Sequence, residues 1–318
     1  MNVLSLFDGM SCGQIALERA GIKVDNYFAS EVDKYAIKVT NKNWLFTKQL
    51  GDVSTIMAHE LPKIDLLIGG SPCQGFSFAG KQLNFDDERS KLFFEYVRLK
   101  KECRPKYWLM DNVPMKKEYQ KIISELLGCG PIQINSALVS AQNRKRLYWT
   151  NIPNVTQPED KGIFIQDILD GGIIGRNVNR RYKNGHRADY DESIPRKAYF
   201  EPREDLKSGT LTTVPKDNVL CKMVGTTYLK AQNVRKRVYS VLGKSPTLYT
   251  ASGGYHAAKI AMSEIEWRYL TPREYERLQT VPDGYTSSVS DSQAYNMLGN
   301  GWTIDVIAHI FKGIKGES

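Results

Sequence analysis

The chain has 318 residues, 41% hydrophobic and 25% charged, which is enough apolar side chain for a packed core in one large domain or two of roughly 150 residues. A net charge of +9 suits a polyanionic partner, because each neutralised phosphate releases counterions. No run approaches the roughly 20 apolar residues of a membrane helix, and Met1 to Asp8 lacks the charged start and apolar run of a secretion signal, so a cytoplasmic protein without a membrane partner is expected.

Val3 to Phe7 reads as a buried strand, and Cys12 to Ala20 as a helix stopped by Gly21. Val24 to Ser30 is a second strand, and Ile64 to Ile68 a third that ends at Gly69-Gly70. Ser90 to Glu102 reads as helix, Tyr107 to Met110 as strand, and Met115 to Leu127 as helix again. Such alternation predicts a parallel sheet covered on both faces. Ligands then sit at the carboxyl ends of the strands. After about residue 155 the character changes. Arg176, Arg180, Arg181, Lys183 and Arg187 fall in a stretch without acids, and Lys230, Arg235, Lys236 and Arg237 form a second basic group. Glycine and threonine are frequent at 209–213 and 252–255. This region reads as a smaller, strand- and loop-rich domain with a basic surface. A solvated insertion is the plainer alternative. Thr271-Pro272-Arg273-Glu274 is a capping box with Pro at the first helical position. Ile304, Ile307, Ile310 and Phe311 mark a final amphipathic helix.

The first strand runs into Phe7-Asp8-Gly9-Met10-Ser11-Cys12-Gly13. Small residues there let the backbone approach a ligand at a helix N-terminus. The pattern differs from the Gly-x-Gly-x-x-Gly of dinucleotide sites, which sets a nicotinamide-linked oxidoreductase far behind. Glu31 follows the second strand, where a carboxylate can accept ribose hydroxyls. Asp52, at the end of a further strand, can accept from an adenine amino group, and Phe7 can stack on the ring. Each feature singly has a bland reading, a tight turn or a surface acid. Together and in order they point to an adenosine-bearing ligand.

Five cysteines, Cys12, Cys73, Cys103, Cys129 and Cys221, are odd in number and contain no Cys-x-x-Cys pair. That speaks against a disulfide framework and a structural zinc site, and no metal is expected. Cys73, in Ser71-Pro72-Cys73-Gln74-Gly75, sits on no regular apolar face, unlike an inert buried thiol. Asp111-Asn112-Val113 follows a strand toward the same sheet edge, and Gln142-Asn143-Arg144-Lys145-Arg146 follows another apolar run. A thiol, an acid and two arginines thus converge on the adenosine site.

These segments resemble the ordered motifs of the DNA (cytosine-5) methyltransferases of bacterial or phage type. The resemblance rests on Phe7-Asp8-Gly9, Gly51-Asp52-Val53, Gly70-Ser71-Pro72-Cys73-Gln74, Asp111-Asn112-Val113 and Gln142-Asn143-Arg144-Lys145-Arg146. Arg268-Tyr269-Leu270-Thr271-Pro272-Arg273-Glu274 and Leu298-Gly299-Asn300-Gly301 extend it to nearly the whole chain, apart from about 155–265. It implies a Rossmann-like S-adenosylmethionine-dependent fold with a mostly parallel twisted sheet. Residues 1–170 and 290–318 would form the catalytic domain, and 171–289 the target recognition domain. It implies that S-adenosylmethionine supplies a methyl group to carbon 5 of a flipped-out cytosine in double-stranded DNA, leaving S-adenosylhomocysteine. Cys73 would add to carbon 6, Asp111 would serve ring nitrogen 3, Arg144 would contact the base, and Arg146 would support it. The cofactor would meet Phe7, Asp8, Gly9, Ser11, Gly13, Glu31, Val32, Asp52, Val53, Ser71, Pro72, Asn300 and Trp302. DNA would meet Gln74, Ser77, Lys81, Arg89, Arg235, Lys236, Arg237 and Tyr255, with 76–85 as a lid.

One departure stands out. The family usually carries glutamate at the position of Asp111, one methylene longer, which puts the simple geometry of proton donation in doubt. Two alternatives follow: a cytosine-5 methyltransferase of RNA, and a weakly active or non-catalytic DNA-binding relative. A monomer is expected, in the cytoplasm of a bacterial or phage-infected cell, with a cognate restriction endonuclease as a companion.

Overall fold

The computed structural model describes residues 1–71, 88–170 and 267–315. Between the last two it describes the short stretches 175–183, 186–187, 190–195, 197–202, 223–226, 237–239, 243–245 and 259–261.

Seven strands form the main sheet: β1 (Asn2–Leu6), β2 (Asn26–Ser30), β3 (Lys48–Gln49), β4 (Leu66–Gly69), β5 (Tyr107–Asn112), β6 (Ile132–Asn135) and β7 (Lys145–Thr150). Their order is β3-β2-β1-β4-β5-β7-β6. β1 to β5 pair in parallel, and β7 runs antiparallel between β5 and β6. The fold is a Rossmann-like α/β fold, as expected, with one reversed strand that strand–helix alternation did not reveal. The chain leaves β1 toward β2 on one side and later returns to β4 on the other. That change of direction opens a crevice at the carboxyl end of β1.

Side chains alternate across the sheet. Val3, Leu66, Ile68, Tyr107 and Leu109 belong to one apolar cluster. Leu4, Leu6, Leu67, Trp108 and Met110 belong to the other. The first cluster is covered by α1 (Cys12–Arg19), α5 (Pro272–Leu278), α6 (Asp291–Asn300) and α7 (Ile304–Lys315). The second is covered by α3 (Glu88–Cys103) and α4 (Lys117–Leu127). α2 (Lys34–Asn43) lies between β2 and β3 and starts at Asp33, whose Oδ1 accepts the N–H groups of Tyr35 and Ala36. Glycine in the last turn of α7 has a packing reason. A Cβ on Gly313 would fall 2.2 Å from the Pro153 carbonyl oxygen.

The capping box is formed as the sequence predicts. Thr271 Oγ1 accepts from Glu274 N–H at 3.2 Å, and Glu274 Oε2 accepts from Thr271 N–H at 2.7 Å. Glu274 is fully buried, and its other oxygen accepts from Asp170 N–H at 3.0 Å. Leu270, Tyr275, Leu278, Val281 and Tyr285 pack in the first cluster, inside the span assigned above to the recognition domain. Within the remainder of that span, Gly175–Arg180 pairs antiparallel with Lys197–Pro202. Met223–Thr226, Arg237–Tyr239, Lys259–Ala261 and Trp267–Tyr269 form a four-stranded sheet. Short strands were expected there.

Candidate active site

A cavity of about 330 Å³ opens at the carboxyl ends of β1, β2, β4 and β5. β1 exits into a turn with three left-handed residues, Phe7 (φ 56), Gly9 (φ 59) and Ser11 (φ 61). Only glycine adopts that region without strain, so the turn holds Phe7 and Ser11 under steric cost. Gly9 N–H donates to Glu31 Oε2 at 2.7 Å, and the other oxygen of Glu31 accepts from Val32 and Asp33 N–H, both at 2.8 Å. Glu31 thereby ties the β2 exit to the β1 turn, and a carboxylate oxygen has lone pairs left for a ligand hydroxyl.

Asp8 accepts from Tyr27 Oη at 2.7 Å and from Ser11 Oγ. Burial pushes its pKa up to about 6, against the opposing pull of the Ser11, Ser5 and Tyr27 hydroxyls. Burial likewise pushes the Cys12 thiol, also on the wall, up to about 12. That thiol is an inert filler at neutral pH.

Asp111 projects from β5 and is 4% exposed. The strand runs two residues past the expected end at Met110, because β7 offers backbone partners: Asp111 faces Tyr148 and Asn112 faces Leu147. The acid therefore stands on a rigid strand rather than a loop. Burial raises its pKa, while Arg146 and then Arg144 pull toward the ionised form, as does the Trp302 indole. Trp302 Nε1 donates to Asp111 Oδ2 at 3.1 Å. Among the described residues Asp111 Oδ1, Ser71 Oγ and Asn112 Nδ2 are buried without a hydrogen-bond partner, and all three residues line the cavity. Unpaired buried polar atoms are costly, and a polar ligand in the cavity would satisfy them.

The model of the C-5 cytosine-specific DNA methylases matches residues 1–316. The chain belongs to that family. It is a DNA (cytosine-5) methyltransferase, and enzymes of this kind draw their methyl group from S-adenosylmethionine. The methyltransferase is 30% identical over 321 residues to the type II methyltransferase M1.ScrFI of Lactococcus lactis subsp. cremoris, covering 96% of this chain and 75% of that one. It is 28% identical to M.HhaI of Haemophilus parahaemolyticus, covering 98% and 93%. Among solved structures it resembles a DNA modification methyltransferase encoded within an E. coli prophage, with a TM-score of 0.68 and 21% identity over 99% of both chains. It also resembles the S. pombe Dnmt2 methyltransferase, with a TM-score of 0.64 and 18% identity over 100% and 99%.

Of the residues expected at the methyltransferase site, Phe7, Asp8, Gly9, Glu31, Ser71, Asp111, Arg146, Asn300 and Trp302 line the cavity together. Others stand apart from its wall. Ser11 precedes α1, is buried and turns its hydroxyl to Asp8, and Gly13 lets α1 close on the sheet, since a Cβ there would fall 2.5 Å from Ile68 Cδ1. Val32 is 71% exposed, and Val53 is buried in the second cluster. Asp52 is exposed and caps the turn Val53–Thr55; the Ser54 N–H, then its hydroxyl, hold its carboxyl below the usual range. Arg144 is 2% exposed and donates through Nη2 to the Gly301 carbonyl at 3.0 Å. Pro72, Cys73, Gln74, Ser77, Lys81, Arg235, Lys236 and Tyr255 lie outside the described residues, as does the expected lid at 76–85. Arg89 and Arg237 belong to a described helix and strand, but their side chains lie outside the description. The sequence reading missed Asp33, Asn112, Asn296 and Met297 on the wall. Asn296 was findable: it stands four residues before Asn300, on the same helix face.

Proposed function

We propose that the methyltransferase acts on a cytosine swung out of double-stranded DNA, through a temporary bond from Cys73. The observation that carries this reading is Asp111: a buried acid with a raised pKa and one oxygen without a hydrogen-bond partner among the described residues, on the wall of the cavity with Arg146. Burial favours the protonated form of such an acid, which can offer its proton to a ring nitrogen. Cys73 stands two residues after Ser71, another wall residue.

The unpaired atoms on the wall and the acid Glu31 fit an adenosyl ligand. S-adenosylmethionine bound there supplies an electrophilic methyl group. Glu31 would take the ribose hydroxyls, Phe7 the adenine face, and Asp8, Gly9, Ser71, Asn300 and Trp302 the remaining wall. Pro72 is kept with them on the sequence resemblance alone, and Asp52 and Val53 as candidates for the adenine edge. As the thiolate of Cys73 adds to carbon 6, Asp111 delivers its proton to nitrogen 3, so that the ring's electrons collect at carbon 5. After methylation, loss of the carbon 5 proton to water, elimination of the thiolate and return of the nitrogen 3 proton to Asp111 restore the aromatic ring. Arg146 faces the cavity and would hold the base. Arg144 would brace the Gly301 turn beside it. Unstacking the nucleotide costs a few kcal/mol, which contacts from Gln74, Ser77, Lys81, Arg89, Arg235, Lys236, Arg237 and Tyr255 would offset. On packing, the recognition domain would end near residue 270 rather than 289.

The test is incubation with S-adenosylmethionine and duplex DNA containing 5-fluorocytosine at its target sites, where the carbon 5 proton cannot leave. A denaturant-resistant protein–DNA adduct is expected for the wild type and none for Cys73→Ser. An adduct that persists in Cys73→Ser would remove the thiol from the mechanism. Methyl transfer to folded RNA and not to duplex DNA would replace the substrate.

A further inference from the structure

The contact between Trp302 and Asp111 has a consequence for where a proton can sit. An indole N–H donates and never accepts. Oδ2 of Asp111 receives that N–H at 3.1 Å, so it is committed as an acceptor. A proton taken up by the carboxyl therefore goes to Oδ1, the oxygen with no hydrogen-bond partner among the described residues.

The indole is itself firmly held. Gly301, just before it, accepts through its carbonyl from Arg144 Nη2 at 3.0 Å and from Gln279 Nε2 at 3.3 Å. Thr303, just after it, donates through Oγ1 to Gln279 Oε1 at 2.7 Å and accepts from Ser136 Oγ at 2.8 Å. Both neighbours are thus fastened to buried groups. The site is also tight. A methyl group built on Gly70 would lie 3.3 Å from Asp111 Oδ2 and 3.3 Å from Trp302 Nε1, so carboxyl, indole and the β4 exit meet at one place.

We propose that Trp302 is a positioning residue for Asp111: it anchors one carboxyl oxygen, so that the acid presents its proton on the other, and it sets the side-chain length the site accepts. The proposal rests on the methyl-transfer reading above. A further methylene would carry the carboxyl roughly 1.5 Å forward, into an N···O gap that is already 3.1 Å. Glutamate at position 111 would therefore crowd the indole edge. Phenylalanine at 302 is the suitable change, since it removes the N–H and its ring edge while keeping an aromatic face.

Four proteins test this: wild type, Asp111→Glu, Trp302→Phe and the double variant, each assayed for methyl transfer to duplex DNA. Each single substitution is expected to lower kcat about tenfold, the order of one hydrogen bond to a charged group. In Asp111→Glu the KM for S-adenosylmethionine should stay within about threefold. The double variant should recover most of the loss, and losses that multiply would overturn the pairing. In Trp302→Phe the alkaline limb of the pH–rate profile should move upward, because the absent N–H had favoured the ionised carboxyl; an unmoved limb counts against the proposal. A readout independent of activity is the indole N–H resonance of Trp302, assigned by its absence in Trp302→Phe among the five tryptophans. It should shift with pH in the wild type and lose that dependence in Asp111→Asn. A resonance indifferent to Asp111→Asn overturns the proposal. Wild type that methylates no nucleic acid would instead overturn the reading of the reaction, and the resonance would still report the pairing.

Discussion

Asp8 illustrates how burial at a strand exit couples a single carboxyl to stability. Its folded pKa is about 6, above the ordinary value near 3.9. Between those two values the folded protein keeps a proton that the unfolded chain has released, so stability falls as pH rises through that window. Asp8→Asn carries no titrating proton and removes this slope. Urea unfolding at stepped pH should show the variant gaining on the wild type by about 2 kcal/mol between pH 4 and 7. A constant difference across that range would show that Asp8 titrates normally. The same residue was legible in sequence only as part of a glycine turn. Its accepting bond from Tyr27 joins residues 19 positions apart, and a linear motif does not display such a partner.

At the scale of elements, two connections hold the site loops. Lys244 is 5% exposed, and its Nζ donates to the carbonyls of Ala137 at 2.5 Å, Ile163 at 2.8 Å and Ser140 at 3.1 Å. Its neighbour Ser245 exchanges backbone bonds with Ala141 and Asn143 at 2.6 and 2.7 Å. A piece of the basic region after residue 171 is thus stitched to the loop that carries Arg144. Lys244→Met would leave three carbonyls without this donor, and a loss of about 2–4 kcal/mol is expected in thermal or denaturant unfolding. The α5 capping box makes a smaller contribution: Thr271→Ala should cost about 1 kcal/mol. The box was readable because all its partners lie within four residues. Lys244 was not, because it is one lysine among many until its partners, more than 80 positions away, surround it.

For the whole molecule, the charge of +9 predicts DNA affinity that falls steeply with salt. Replacing Arg235, Lys236 and Arg237 together by alanine should weaken binding to all duplexes alike. It should also flatten the plot of log affinity against log salt by about 0.9 for each phosphate that is no longer neutralised. An unchanged slope would place the phosphate-binding cations elsewhere. The two apolar clusters explain why a long, basic segment is tolerated: the sheet and its helices bury their own faces on both sides, and α5 to α7 return to the first cluster after the segment.

Sequence by itself determined the family, the strand–helix alternation, the capping box and the residue types that gather at the crevice. Those features depend on local spacing or on motifs read in order, and both survive in one dimension. Tertiary structure decided the antiparallel β7, which extends β5 to include Asp111, the placement of Arg146 on the cavity wall and of Arg144 against the Gly301 carbonyl, and the meeting of Trp302 with Asp111 across 191 positions. The physical reason is the same in each case. Which oxygen of an acid has a partner, and which arginine reaches solvent, depends on groups far apart in the chain that are brought within hydrogen-bond distance only by packing.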